Sequence, residues 1–128
     1  MTTFAKRVFF CAGVYGLIVL VPQLFTESRI GHDYPPAITH PEYFYGFLGV
    51  AIAFQLVFLV IAKDPIRYRA LMLPSVVEKP AFSVPCTVLF MQHRLALITT
   101  CFAAFDLVLV TLFIVSWRKT APVAVRTM

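Results

Sequence analysis

Glu78 and Lys79 stand side by side in "SVVEKPAF", residues 75–82, and Asp106 interrupts "FAAFDLVLV", residues 102–110. Two carboxylates and an ammonium in such apolar surroundings have a short list of uses. They can hold the polar group of a ligand, relay a proton, or pair with each other to fix helix register. A charge at the centre of a membrane-spanning helix costs about 2.5–3.5 kcal/mol on insertion scales, and such residues turn toward a protein interior or a wet cavity. Neighbouring helix positions point about 100° apart, so Glu78 and Lys79 are expected to find partners on other helices rather than neutralise each other. Asp106 is the expected partner of Lys79, and Gln55 or Tyr15 could hydrogen-bond Glu78. Pro80 and Pro85 carry no N–H, which frees the carbonyls of Val76 and Ala81. A kink and a polar pocket at mid-depth are the expected results.

Other chemistry is sparsely represented. The sequence contains no Ser-His-Asp arrangement, Gly-rich phosphate loop, HExxH or c-type haem signature, so no catalytic assignment is made. His32, His40 and His93 fall outside the apolar runs, near Asp33 and Glu42. Their spacing suits exposed loop residues better than a metal site, and no metal or cofactor is expected. Cys11, Cys86 and Cys101 lie inside apolar segments without a CxxC, which suggests small packing residues.

The elements that must position these residues follow from composition. Of 128 residues, 60% are hydrophobic and only 13% charged, and the mean hydropathy is +0.85. A soluble domain carries about 25% charged residues, so lipid is the fitting solvent. The net charge of +5 sits at the ends of apolar runs, where membrane orientation accounts for it. No nucleic-acid partner is expected.

Four runs are long enough to span: residues 8–25, 43–62, 70–91 and 95–117. Lys6 and Arg7 precede the first, and with no A-x-A site following it, a retained helix is expected. His40-Pro41-Glu42 reads as a helix start and "KDP", residues 63–65, as a stop. The third run, with three prolines and two charges, could instead be re-entrant or interfacial. Charge placement favours four spans. Lys6, Arg7, Lys63, Arg67, Arg69, Arg118, Lys119 and Arg126 then share one side, leaving Arg29 and Arg94 opposite. The expectation is an all-α, antiparallel four-helix transmembrane bundle over residues 1–119, both termini cytoplasmic, with a tail over 120–128. "YGFLG", residues 45–49, and "CAGVYG", residues 11–16, offer small-residue faces for close helix approach. Tyr34, Tyr43, Phe44 and Tyr45 on one side, with Tyr68 and Trp117 on the other, mark the interfaces.

Counting from the basic ends at about 1.5 Å per residue puts Tyr15, Gln55, Glu78 and Asp106, one per span, in a slab about 6 Å thick. If they face inward they can meet. The candidate ligand-binding set is therefore Glu78, Lys79, Asp106, Gln55 and Tyr15.

The layout also carries a resemblance. The stretches "HPEYFYGF", "AFQLVFLVIA", "KDPIRYR" and "LMLPSVVEK", followed by an acid in the fourth helix, resemble small bacterial four-helix membrane proteins of unknown function over residues 8–118. The four-span layout and "FQLVF" are loosely similar to the EXPERA-type group of sterol isomerases and sigma-2 receptors. That similarity implies a lipophilic, often cationic ligand held against intramembrane carboxylates. The second helix departs from that group in having Gln55 and no acid. DoxX-like proteins share the size and layout.

Three readings follow. The first is a binding protein or enzyme for a lipophilic or amphipathic small molecule in a bacterial inner membrane. The second is an accessory subunit of a larger membrane complex. The third is proton or ion translocation by a homo-oligomer through Glu78 and Asp106.

Overall fold

A computed structural model of the chain describes residues 2–122. Residues 123–128 of the expected tail, Arg126 among them, lie outside the described residues. The described chain is helical with no strand among its residues. Its elements are α1 (Thr2–Leu20), a 3-10 segment (Val21–Phe25), α2 (Glu27–Asp33), α3 (Pro41–Lys63), a short 3-10 turn (Arg69–Leu71), α4 (Met72–Met91) and α5 (Leu97–Lys119). The first apolar stretch, α1 with its 3-10 extension, α3 and α5 are each long and apolar enough to cross a membrane, and α4 is a fourth long helix.

Local chemistry sets the ends of α3. Pro41 opens it, its fixed φ and missing N–H suiting the first turn. At the other end Asp64 Oδ1 accepts the Arg67 backbone N–H at 3.1 Å, turning the chain. Helix α4 continues unbroken through Pro80 and Pro85.

Contacts between helices set direction and register. Phe9 of α1 stacks on Phe113 of α5 at 4.3 Å, and Tyr15 meets Phe105 at 4.7 Å, so these helices run antiparallel. Lys79 pairs with Asp106, and Ser83 Oγ donates to the Ala103 carbonyl at 3.0 Å, so α4 runs antiparallel to α5. At the end of that pair Thr120 meets Met72 Sδ at 3.8 Å. These contacts extend from Met72 to Ser83 of α4. Helix α1 packs chiefly on α3. There Gly13 faces Leu59 and Gly16 faces the Gln55 side chain, and a Cβ on either glycine would collide with its neighbour.

Gly46 and Gly49 differ from expectation. Nothing lies within 4 Å of a Cβ built on either, so they face away from neighbouring helices and mediate no close approach. The cysteines are also mixed. Cys86 is buried, whereas Cys11 and Cys101 are exposed and do not pack inside.

The two ends of the molecule differ in packing. At the end carrying Lys63, Arg69 and Lys119, hereafter the basic end, Phe9, Phe58 and Phe113 are fully buried. Phe58 meets Phe113 edge-on at 5.0 Å and Phe9 at 6.0 Å, and three helices thus fill that half with one aromatic cluster. Outward faces carry large exposed apolar side chains, including Ile18, Val50, Val77 and Ile98. Helices apolar on both their packed and outward faces fit a lipid environment.

Candidate functional site

The other half of the molecule contains a cavity of about 680 Å³. Its deepest residues toward the basic end are Tyr15 on α1, Gln55 on α3, Glu78 on α4 and Asp106 on α5, with Lys79 beside Glu78. The four residues singled out by the depth count, together with Lys79, line this one chamber. They share a level because α1 pairs with α3 near Gly16–Gln55, α1 with α5 at Tyr15–Phe105, and α4 with α5 at Lys79–Asp106.

Toward the opposite end the lining becomes largely apolar, with Ala51, Phe82 and Phe102, and it finishes under Ile30 and Tyr34. Phe47 and Phe82, whose rings stack at 5.7 Å, join α3 to α4 along one wall. The segment covering this end is tied to α3 by the Tyr45 hydroxyl, which donates to Glu27 Oε2 at 2.7 Å. The Phe9, Phe58 and Phe113 cluster occupies the half at the basic end, and the chamber extends away from it.

The electrostatics of the floor centre on Lys79, which is 5% exposed. Its Nζ lies 3.5 Å from Asp106 Oδ1 and 3.4 Å from Glu78 Oε2. The expectation that Glu78 and Lys79 would not pair is therefore corrected. The four-carbon stem of lysine folds its ammonium back toward the neighbouring carboxylate although the Cα–Cβ bonds diverge. Lys79 Nζ also sits 5.1 Å from the centroid of Phe58, the top of the aromatic cluster. Glu78, Lys79 and Asp106 together carry a formal charge of −1.

Gln55, 2% exposed, makes a different contact from the one expected. Its Nε2 donates to the Ala51 carbonyl at 2.9 Å within its own helix, and it makes no hydrogen bond to Glu78 among the contacts of the described residues. Tyr15 lines the chamber and meets the Phe105 ring edge-on, but it does not hydrogen-bond Glu78 among the contacts of the described residues. Two acceptors on the floor, Gln55 Oε1 and Glu78 Oε2, are buried without a hydrogen-bond donor in good geometry. Gln55 Oε1 is turned against α1 at Gly16, so the polar surface of the floor is supplied by the two acids and Lys79, with a net formal charge of −1, while the walls present mainly apolar surface.

Sequence reasoning missed three buried serines. Ser83 fixes α4 against the Ala103 carbonyl one turn above the charges. Ser75 and Ser116 are also fully buried, each donating to the carbonyl four residues earlier. Serines spaced along an apolar α4, at 75 and 83, were the available signal, since small hydroxyl residues favour helix contacts in lipid. His32 and His40 lie on the surface, each 3.2 Å from a neighbouring carboxylate, Asp33 and Glu42. The chain matches no family model, no curated protein and no solved structure, so any functional reading rests on this geometry.

Proposed function

We propose that the chain is a multi-pass membrane protein of four spanning helices with both termini cytoplasmic. In this reading the chamber binds an amphipathic small molecule whose polar head meets Glu78, Lys79 and Asp106. Gln55 and Tyr15 orient the head, and the apolar walls take the body of the molecule. One observation carries the proposal: a buried lysine between two carboxylates forms the floor of a mainly apolar cavity of about 680 Å³. Small-molecule sites have this character, with volumes of about 300–1,000 Å³, mainly apolar walls and few converging polar groups. The aromatic cluster beneath the floor counts against the ion-conduction reading, because an ion path toward the basic end would cross it.

The test is to purify the wild-type protein in a mild detergent and identify co-purifying small molecules by native mass spectrometry. Glu78→Gln and Asp106→Asn each leave a neutral pair with Lys79, so both variants are expected to fold. Wild type should retain an amphiphile that both variants lose, with unchanged helicity by circular dichroism. A wild-type protein that emerges with nothing bound, or variants that keep the same molecule, would end this proposal.

A further inference from the structure

A second concave feature lies on the other side of Tyr15. A groove of about 460 Å³ runs between α1 and α5, lined by Val8, Cys11 and Ala12 from one helix and Phe105, Leu109 and Leu112 from the other. Tyr15 borders both this groove and the chamber, and Arg7 is the charged residue of the groove. Phe4 also lines it, near Arg7, and the Lys119 ammonium stands 4.3 Å from the Phe4 ring centroid. Two cations therefore flank one end of an apolar trough.

Neither cation has a carboxylate within ion-pair distance among the described residues. Glu78 and Asp106 are engaged by Lys79, and Asp33 and Glu42 pair with Arg29, His32 and His40. Glu27 accepts from Tyr45, and Asp64 accepts the Arg67 backbone N–H. Length adds a second constraint. Arg7 to Tyr15 is eight residues, about 12 Å of helix. A bilayer core is about 30 Å thick, so the trough matches the depth of one leaflet.

We infer that this groove seats one acyl chain of an anionic phospholipid, with the lipid phosphate on Arg7 and Lys119. Arginine suits that role because its planar fork meets two phosphate oxygens at once. The apolar trough takes the chain, and the ring pair Tyr15–Phe105 forms its inner limit. The site requires the membrane location proposed above but not the ligand of the chamber.

The experiment uses the full chain in detergent, titrated with dioleoyl phosphatidylglycerol or dioleoyl phosphatidylcholine and read by native mass spectrometry. Wild type should hold one phosphatidylglycerol at least tenfold more tightly than phosphatidylcholine. Arg7→Gln should cut that preference at least fivefold, whereas Arg94→Gln at the opposite end should leave it unchanged. Cys11→Phe fills the groove from an exposed position and should weaken both lipids; Leu112→Trp does the same from α5. Inorganic phosphate should not displace the lipid. Equal retention of the two lipids, an equal loss in Arg94→Gln, or unchanged binding in both groove-filling variants would overturn the inference. Glu78→Gln should retain the lipid normally, which separates this outcome from failure of the chamber reading.

Discussion

The Lys79 ammonium on α4 stands 3.5 Å from the Asp106 carboxylate on α5, joining two helices at the floor of the chamber. Glu78 Oε2 lies 3.4 Å from the same ammonium, so one cation serves two acids. Removing Lys79 and removing an acid therefore have opposite consequences.

Lys79→Met leaves two carboxylates without a cation in a region of low dielectric. Breaking a buried ion pair from one side costs about 3–5 kcal/mol. Glu78→Gln leaves a neutral Lys79–Asp106 pair and should be neutral or stabilising. The triple variant Glu78→Gln/Lys79→Met/Asp106→Asn should recover most of what Lys79→Met alone loses. Unfolding midpoints in a single detergent, compared as a mutant cycle, check this. A Lys79→Met midpoint equal to wild type would show that Lys79 does not neutralise the pair.

Gly16 gives a second test. A Cβ at this position would fall on the Gln55 side chain, whose carboxamide fills the space beside α1. Gly16→Ala should destabilise by about 1–3 kcal/mol, the usual cost of overpacking. Gln55→Ala opens the same space, so the double variant should be more stable than Gly16→Ala alone. Thermal unfolding of the three variants measures the coupling. Strict additivity would mean that α1 and α3 do not meet through this contact.

How much of this was visible beforehand varies by residue. Depth counting brought Tyr15, Gln55, Glu78 and Asp106 together, because rise per residue is fixed and helix ends were marked by charge and proline. Partner choice was less legible. Side-chain torsions, not helix phase, decide whether Lys79 reaches Glu78 and whether Gln55 turns back to Ala51. Which end would be filled depended on Phe9, Phe58 and Phe113 meeting across three helices. No single helix pattern distinguishes those phenylalanines from outward-facing ones such as Phe10, because all faces of such a helix are apolar. The outward placement of Gly46 and Gly49 was hidden for the same reason.

Arg69 and Trp117 form the principal polar clasp of the basic end. The guanidinium carbon sits 3.2 Å from the Trp117 ring centroid, and Nη2 donates to the Trp117 carbonyl at 3.0 Å. Trp117 is thus held by a cation, beyond any anchoring at an interface. Lysine cannot present a flat face to the ring and a donor to the carbonyl together. Arg69→Lys should lower stability by about 1–2 kcal/mol, within the range of a partly buried cation–π contact and a charged hydrogen bond. Trp117 is the sole tryptophan, so its fluorescence reports the contact directly. Arg69→Lys should shift the emission, and an unchanged spectrum and midpoint would show that the clasp carries no energy.

The turn from α4 to α5 offers a prediction in the stabilising direction. His93 has φ 57°, the left-handed region, where a Cβ is unfavourable. It holds that shape because its N–H donates to the Phe90 carbonyl at 3.0 Å and the Arg94 N–H to the Leu89 carbonyl at 2.9 Å. This paired pattern closes a helix C-terminus and normally uses glycine at the left-handed position. His93→Gly relieves a conformational cost of about 1 kcal/mol, partly offset by the greater freedom of glycine in the unfolded chain. His93→Val adds a β-branch at the same φ and should destabilise by at least as much. Because α4 carries Glu78 and Lys79 and α5 carries Asp106, a firmer turn should also hold the Lys79–Asp106 pair in register. Unfolding midpoints should rank glycine above histidine and histidine above valine. The reverse order would mean that the turn relaxes out of this geometry.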